Sequence, residues 1–292
     1  EKEEIGGVCL NWGCIPTKTL ISSAHLYHKI QHAADFGLKA GAPSVDFKAL
    51  RARKDDVIKK NKAGIRNLFK GHGIEVVQGT ARVAAPGVVR VGEEEIRAGA
   101  IIIATGSSSA QLPGLETDGE RVITSTEALE LDAAPKRVLV IGGGPIGAEF
   151  ASIWNAFGSE VILVEMMPNL LPLDDAENTK ILANSFKKRG IDVRTETTVK
   201  KLDRGKKNIK ATLDGKHSGE VEVDLVLVGI GRKFHSDVVS ETPGLGVELG
   251  KRGNIVVDAR METNVAGIYA IGDVTGKTML ARSLARSLDC SF

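Results

Sequence analysis

The spacing of apolar and polar positions divides the chain into a helical opening, a β-rich stretch and a long alternation of strand and helix. Over 17–34, Leu20, Ala24, Tyr27 and Ile30 recur at helical spacing, and over 47–69 Leu50, Val57, Ile58, Ile65 and Leu68 repeat the pattern. Two helices are predicted there. Short β-rich runs follow at 74–78, 80–84, 88–91 and 100–104, cut by Gly79, Pro86-Gly87 and Gly92. They read as a small sheet leading into a buried strand. From Lys136 the order becomes strand (137–141), glycine turn, helix (146–157), strand (160–164), helix (176–189) and strand (192–195), the βαβ pattern of a parallel, doubly wound sheet. Further strands are predicted at 209–213, 225–228, 255–257 and 268–271, with loose boundaries near Pro113 and His235.

A length of 292 residues suggests about two domains, each large enough for its own core. Lys plus Arg number 39 against 37 for Asp plus Glu, a formal charge of +2 without a like-charge block, which argues against nucleic acid and anionic membrane as partners. Apolar runs such as 101–104 and 138–141 fall short of the ~20 residues that span a bilayer. The chain opens on Glu1 with no signal-like stretch, so targeting is not readable. Three cysteines, two of them close together, point to a reducing compartment and a chemically employed pair. His25, His28 and His32 fall roughly on one helical face without a carboxylate or cysteine beside them, so that face reads as solvated and no metal is expected.

The run Val138-Leu139-Val140-Ile141 leads straight into Gly142-Gly143-Gly144-Pro145-Ile146-Gly147, a G-x-G-x-x-G between strand and helix. Gly142 permits the tight turn, Gly144 lets backbone N–H groups approach a pyrophosphate, and Gly147 lets helix and strand pack closely. Glu165 ends the second strand, where a carboxylate accepts hydrogen bonds from a ribose 2′-hydroxyl. A 2′-phosphate there would set like charges ~4 Å apart, costing about 4 kcal/mol per unit pair at an effective dielectric of ~20. Met166-Met167 offer no arginine to reverse this, so NAD is expected over NADP.

Cys9 and Cys14 lie five positions apart, just ahead of a predicted helix whose first turn includes Pro16, with Lys18 close by. A helix N-terminus and a nearby cation favour thiolate and hence exchange chemistry. Spacing alone leaves two other readings open, a pair of buried cysteines or half of a zinc site, although Cys290 stands alone and no second ligand pair is evident.

The run Gly6-Gly7-Val8-Cys9-Leu10-Asn11-Trp12-Gly13-Cys14-Ile15-Pro16-Thr17-Lys18 resembles the active-site signature of the dihydrolipoamide dehydrogenases, a family within the FAD-dependent pyridine nucleotide-disulfide oxidoreductases. The resemblance extends to about Ala281. It implies that Cys9 is the interchange thiol, Cys14 the thiol facing the flavin, and Lys18 the lysine beside flavin N5 with Glu149 as its partner. Without it, Lys18 and Glu149 are ordinary helix-end charges. Thr105-Gly106-Ser107 resembles the segment where the chain passes from the FAD to the NAD domain. The run 263–273 resembles the second FAD fingerprint, with Asp273 on the ribityl chain. Glu1, Ala81, Met279, Leu280 and Ala281 are further FAD contacts by resemblance. For NAD, the candidates are Gly142, Gly144, Ile146, Gly147, Glu149, Glu165, Val199 and Gly231.

The implied fold is α/β, with two Rossmann-like dinucleotide-binding domains in three-layer sheet architecture. A discontinuous FAD domain occupies 1–112 and 236–292, and an NAD domain is inserted at 113–235. The family also has an FAD pyrophosphate loop ahead of Cys9 and a C-terminal interface domain with a His-Glu pair. Neither is present here, so the chain reads as the middle portion of such a protein, with its FAD domain incomplete and its tail after Ala281 divergent. The implied activity passes electrons from protein-bound dihydrolipoamide through Cys9 and Cys14 and FAD to NAD⁺. The implied partner is the lipoyl domain of a 2-oxo acid dehydrogenase complex, the parent a homodimer, and the compartment cytoplasm or mitochondrial matrix. The alternatives are a non-catalytic NAD-binding fragment and a glutathione- or mercuric-type flavin reductase.

Overall fold

Residues 1–277 and 279 are described by the computed structural model; the expected contacts at Leu280 and Ala281, and Cys290, lie outside the described residues. The chain divides into two units, one made of Trp12–Lys60 with Ser109–Gly231, the other of Glu1–Asn11, Asn61–Ser108 and the chain from Arg232 onward.

The first unit is built on a five-stranded parallel sheet. Its strands run in the order Val122–Ile123, Leu225–Val228, Arg137–Ile141, Glu160–Val164 and Asp192–Arg194. Side chains alternate across it with the period of two that a strand imposes. Val138, Val140, Val161 and Leu163 pack with Phe150, Ala151, Ile153 and Trp154 of the helix Pro145–Ala156. On the opposite face Leu139, Ile141, Val164, Val226 and Val228 meet Val199, Ile209, Ala211, Leu213 and Val223. Those partners come from an antiparallel sheet of Thr197–Arg204, Ile209–Gly215 and Gly219–Val223. Three layers result, and each large apolar side chain fully buried between them stabilises the unit by roughly 1.5–3 kcal/mol. Arg137–Ile141 lies between Glu160–Val164, to which it connects through the helix Pro145–Ala156, and Leu225–Val228, which comes much later in the chain, so the strand order reverses at it. Its carboxyl end is therefore the switch point where ligands of open α/β sheets bind. The helix Cys14–Gln31 packs on Pro145–Ala156 within the same unit.

In the second unit Ile101–Ile103 pairs in parallel with Ile268–Ala270. An antiparallel sheet of Ala81–Ala85, Val88–Val91 and Glu94–Arg97 accompanies them. Val83, Ile101, Ile103, Phe234, Ile255, Ile268 and Val274 form the core.

Several expectations need correction. The helix predicted over 17–34 runs from Cys14 to Gln31. Pro16 is its third residue, where the missing N–H is one of those a helix leaves unpaired anyway. Residues 74–78 form no strand, despite their β-rich composition. Ile74 and Val76 are exposed there, and Glu1 bonds this stretch, its amino group donating to the Val77 carbonyl at 3.0 Å and its carbonyl accepting from Gly79 N–H at 2.9 Å, too little to extend into a strand. Residues 255–257 form no strand: Ile255 makes an isolated antiparallel bridge with Leu249 and its N–H donates to the Val274 carbonyl. No helix among the described residues is long and apolar enough to cross a membrane.

Candidate functional site

The glycine turn joins Arg137–Ile141 to the helix Pro145–Ala156 and is held by backbone geometry. Gly142 has φ +104°, a conformation that favours glycine, and a Cβ there would lie 2.4 Å from the Gly229 carbonyl oxygen. At Gly147 an added Cβ would lie 1.9 Å from the Gly142 oxygen, so this position sets how closely helix and strand approach. Gly144 is the helix N-cap and supplies no side-chain acceptor, while an added Cβ would meet nothing within 4 Å. The space over Gly144 is thus open at the helix N-terminus, where N–H groups left unpaired by the helix can bind an anion. Ile146, on this turn, is half-buried. Glu165, at the end of the neighbouring strand, is buried with its carboxylate accepting from Gly143 N–H at 2.6 Å and Met167 N–H at 2.8 Å. This turn and this acid fit a dinucleotide. Val199 is buried at a bulge in the antiparallel sheet, and Gly231, at φ +134°, accepts from Ala110 N–H.

On the packed helix pair of the same unit, Lys18 Nζ donates to Glu149 Oε1 at 2.5 Å. Lys18 is exposed and Glu149 half-buried, so the pair itself adds at most about 1 kcal/mol. Its effect is to fix two side chains from helices far apart in sequence. Cys14 is exposed as the first residue of its helix, capped by Gly13 without a side-chain bond. Cys9 is half-buried on the short helix Gly7–Asn11, which belongs to the other unit. That short helix is braced by Asn11, whose Nδ2 donates to the Ile5 and Gly7 carbonyls.

The remaining candidates cluster in the second unit. Ser107, buried after the strand Ile101–Ile103, donates its hydroxyl to Asp273 Oδ2 at 2.5 Å. Arg232 donates to the Ser107 hydroxyl at 2.9 Å and to its carbonyl at 2.6 Å. Gly106, at φ +69°, accepts from His235 N–H, and the Thr105 hydroxyl donates to the His235 carbonyl. Burial holds the His235 imidazole below its ordinary pKa. Asp273 follows Ile268–Ala270 in a short turn, and the Ser107 hydroxyl, itself held by Arg232, orients its carboxylate. Such an oriented carboxylate suits a polyol chain like that of FAD. Glu1 Oε1 accepts from Glu3 N–H, Ala81 opens the first strand of the antiparallel sheet, and Met279 is exposed. Neither Arg232 nor Gly143 is among the site residues that the sequence predicts. The arginine carries no local signal, whereas the unbroken Gly142-Gly143-Gly144 run does hint at crowding over the middle glycine.

Residues 3–286 match the family profile described as pyridine nucleotide-disulphide oxidoreductase. The chain is 42% identical over 290 residues to a dihydrolipoyl dehydrogenase of Thermus scotoductus, covering 96% of this chain and 61% of that protein. Against the dihydrolipoyl dehydrogenase of Acholeplasma laidlawii it is 40% identical, covering 96% of this chain and 83% of the relative. Among solved structures, LpdA from Mycobacterium tuberculosis superposes with a TM-score of 0.88 at 27% identity, over 100% of this chain and 64% of that one. The HOCl-induced flavoprotein disulfide reductase RclA from Escherichia coli gives 0.81 at 28% identity, over 99% of this chain and 63% of the other.

Proposed function

Because the chain belongs to the pyridine nucleotide-disulphide oxidoreductase family, we propose that it is the part of a dihydrolipoamide-oxidising flavoenzyme that carries the redox dithiol and the NAD site. One observation supports this most: the Lys18–Glu149 bridge ties the helix opening on Cys14 to the helix opening on the glycine turn. Dithiol and nucleotide chemistry are thereby linked by a single pair of side chains.

In this reading a dihydrolipoyl thiolate attacks Cys9 Sγ of a Cys9–Cys14 disulfide, that bond breaks, and Cys14 leaves as thiolate. The second substrate thiol then attacks the mixed disulfide, freeing Cys9 and closing the lipoyl disulfide. Two electrons now rest on the dithiol. Bound FAD supplies their relay to NAD⁺, and the sum is dihydrolipoamide plus NAD⁺ giving lipoamide, NADH and a proton. Lys18, held by Glu149, would stand beside the flavin when it is bound. Glu1, Ala81, Thr105, Gly106, Ser107, Asp273 and Met279 would hold the flavin nucleotide. Gly142, Gly144, Ile146, Gly147, Val199 and Gly231 line the NAD site, with Glu165 on its ribose. The FAD domain takes 1–112 and 236–292 and the NAD domain 113–235. The partner is the lipoyl domain of a 2-oxo acid dehydrogenase complex, met by a homodimeric parent in bacterial cytoplasm or mitochondrial matrix.

The test uses the full-length protein that contains this chain. Adding dihydrolipoamide without oxygen should bleach the oxidised flavin, and NAD⁺ should then restore its colour as NADH forms. Flavin that stays oxidised with dihydrolipoamide but turns over glutathione disulfide with NADPH would overturn the assignment.

A further inference from the structure

The Gly143 peptide is gripped on both sides. Its N–H donates to Glu165 Oε2 at 2.6 Å, and its carbonyl accepts from Leu171 N–H at 2.9 Å. Above it sit Glu165 and Leu170, since a Cβ on Gly143 would lie 3.0 Å from Glu165 Cβ and 2.6 Å from Leu170 Cδ2. Leu170 is fully buried, and Leu171 holds φ +47°, an unfavourable conformation for a branched side chain that the surrounding contacts sustain. Glu165 is equally fixed. Its backbone N–H donates to the Arg194 carbonyl at 3.0 Å and its carbonyl accepts from Thr197 N–H at 3.0 Å. The second carboxylate oxygen accepts from Met167 N–H at 2.8 Å.

We propose that Glu165 is a positioning residue for the glycine turn, clamping the Gly143 peptide in its binding shape before any nucleotide arrives, in addition to meeting the ribose. Only the ligand arm of this proposal rests on the NAD reading. Two backbone donors need two acceptor oxygens, so a carboxylate satisfies both and an amide satisfies one, turning an NH₂ toward the other. A buried N–H without a partner loses a charge-assisted hydrogen bond, worth a factor of ten or more. The clamp therefore acts on any ligand that needs the turn, including an adenosine pyrophosphate without ribose hydroxyls.

The test compares this chain with its Glu165→Gln variant in two measurements. Hydrogen exchange without nucleotide should speed up about tenfold or more at the Gly143 amide, with the strand Arg137–Ile141 unchanged. Calorimetric binding of ADP and of 2′,3′-dideoxy-ADP should weaken together in the variant. Unchanged exchange at Gly143, or a variant that weakens ADP but binds dideoxy-ADP as the parent does, would show that Glu165 serves the ribose alone and overturn the clamp. If the unmodified chain binds neither nucleotide, the NAD reading fails while the exchange measurement still decides the clamp. Glu165→Asp, which keeps the charge but is one methylene shorter, gives the same two readings where the glutamine variant does not fold.

Discussion

Replacing Gly147 with alanine sets helix propensity against packing. In an open helix interior, alanine is favoured over glycine by about 1 kcal/mol. Here the new Cβ would sit 1.9 Å from the Gly142 oxygen and 3.1 Å from Val140 Cγ1, where real Cβ atoms essentially never come within 3.0 Å. The oxygen cannot retreat easily, because Gly142 N–H is bonded to the Val164 carbonyl and the Gly142 Cα faces the Gly229 backbone. The helix must move off the sheet by about 1 Å, loosening Ala148, Ala151 and Phe150 from Val140. Overpacking of this kind costs typically 1–3 kcal/mol. A net loss of about 1 kcal/mol lowers the melting temperature of a unit this size by roughly 2–4 °C. Thermal melting followed by circular dichroism measures it, with Gly144→Ala as the contrast. That second alanine meets nothing within 4 Å and sits at an allowed φ of −70°. It should melt near the parent temperature yet lose NADH binding, because its methyl group occupies the pyrophosphate approach. A Gly147→Ala protein that melts at or above the parent and still binds NADH would refute the reasoning.

Lys54 is buried to 1% exposure and is paired with Glu130 and, at 3.1 Å, Asp55. Glu130→Ala leaves that ammonium short of an acceptor and should cost about 1–3 kcal/mol in chemical denaturation, whereas Lys200→Ala, breaking an exposed pair with Asp214, should change it by under about 1 kcal/mol. His235 carries a pKa lowered chiefly by burial from the ordinary 6.5. The unfolded chain therefore binds the proton first, so this stability is fully present above about pH 6.5 and is lost as pH falls from there toward the folded pKa. Melting from pH 7.5 down to 5.5 should show less pH dependence in His235→Gln than in the parent. Lys18→Met should leave melting within about 1 kcal/mol of the parent while altering the absorption spectrum of flavin bound to the full-length protein; an unaltered spectrum counts against its place beside the flavin.

The parts of the fold that rest on local signals were legible. Arg137–Ile141, Glu160–Val164 and Leu225–Val228 occur where apolar runs predict them, and the glycine turn lies between its strand and helix. What escaped are strands whose own composition does not announce them and which are strands because a neighbour pairs with them. Thr197–Arg204 is a strand whose alternation is broken by a bulge between Val199 and Lys201, and Lys200, Lys201 and Asp203 disguise it as polar loop. Glu94–Arg97 is nearly all charged and is a strand only because Val88–Val91 pairs with it. Conversely, 74–78 has strand composition without a ladder. At the site, Glu165 was legible as an acid at a strand end. Its grip on Gly143 was not, since it arises where two neighbouring strands and a buried leucine converge.

The central claim, that Cys9 and Cys14 are one redox couple, is tested most directly by thiol mapping on the flavin-loaded full-length protein. Alkylation followed by peptide mass spectrometry before NADH should find the two cysteines joined as a disulfide. After anaerobic NADH both should be alkylated. Two alkylated thiols before NADH in air-equilibrated protein, or a disulfide that survives NADH, would contradict the account.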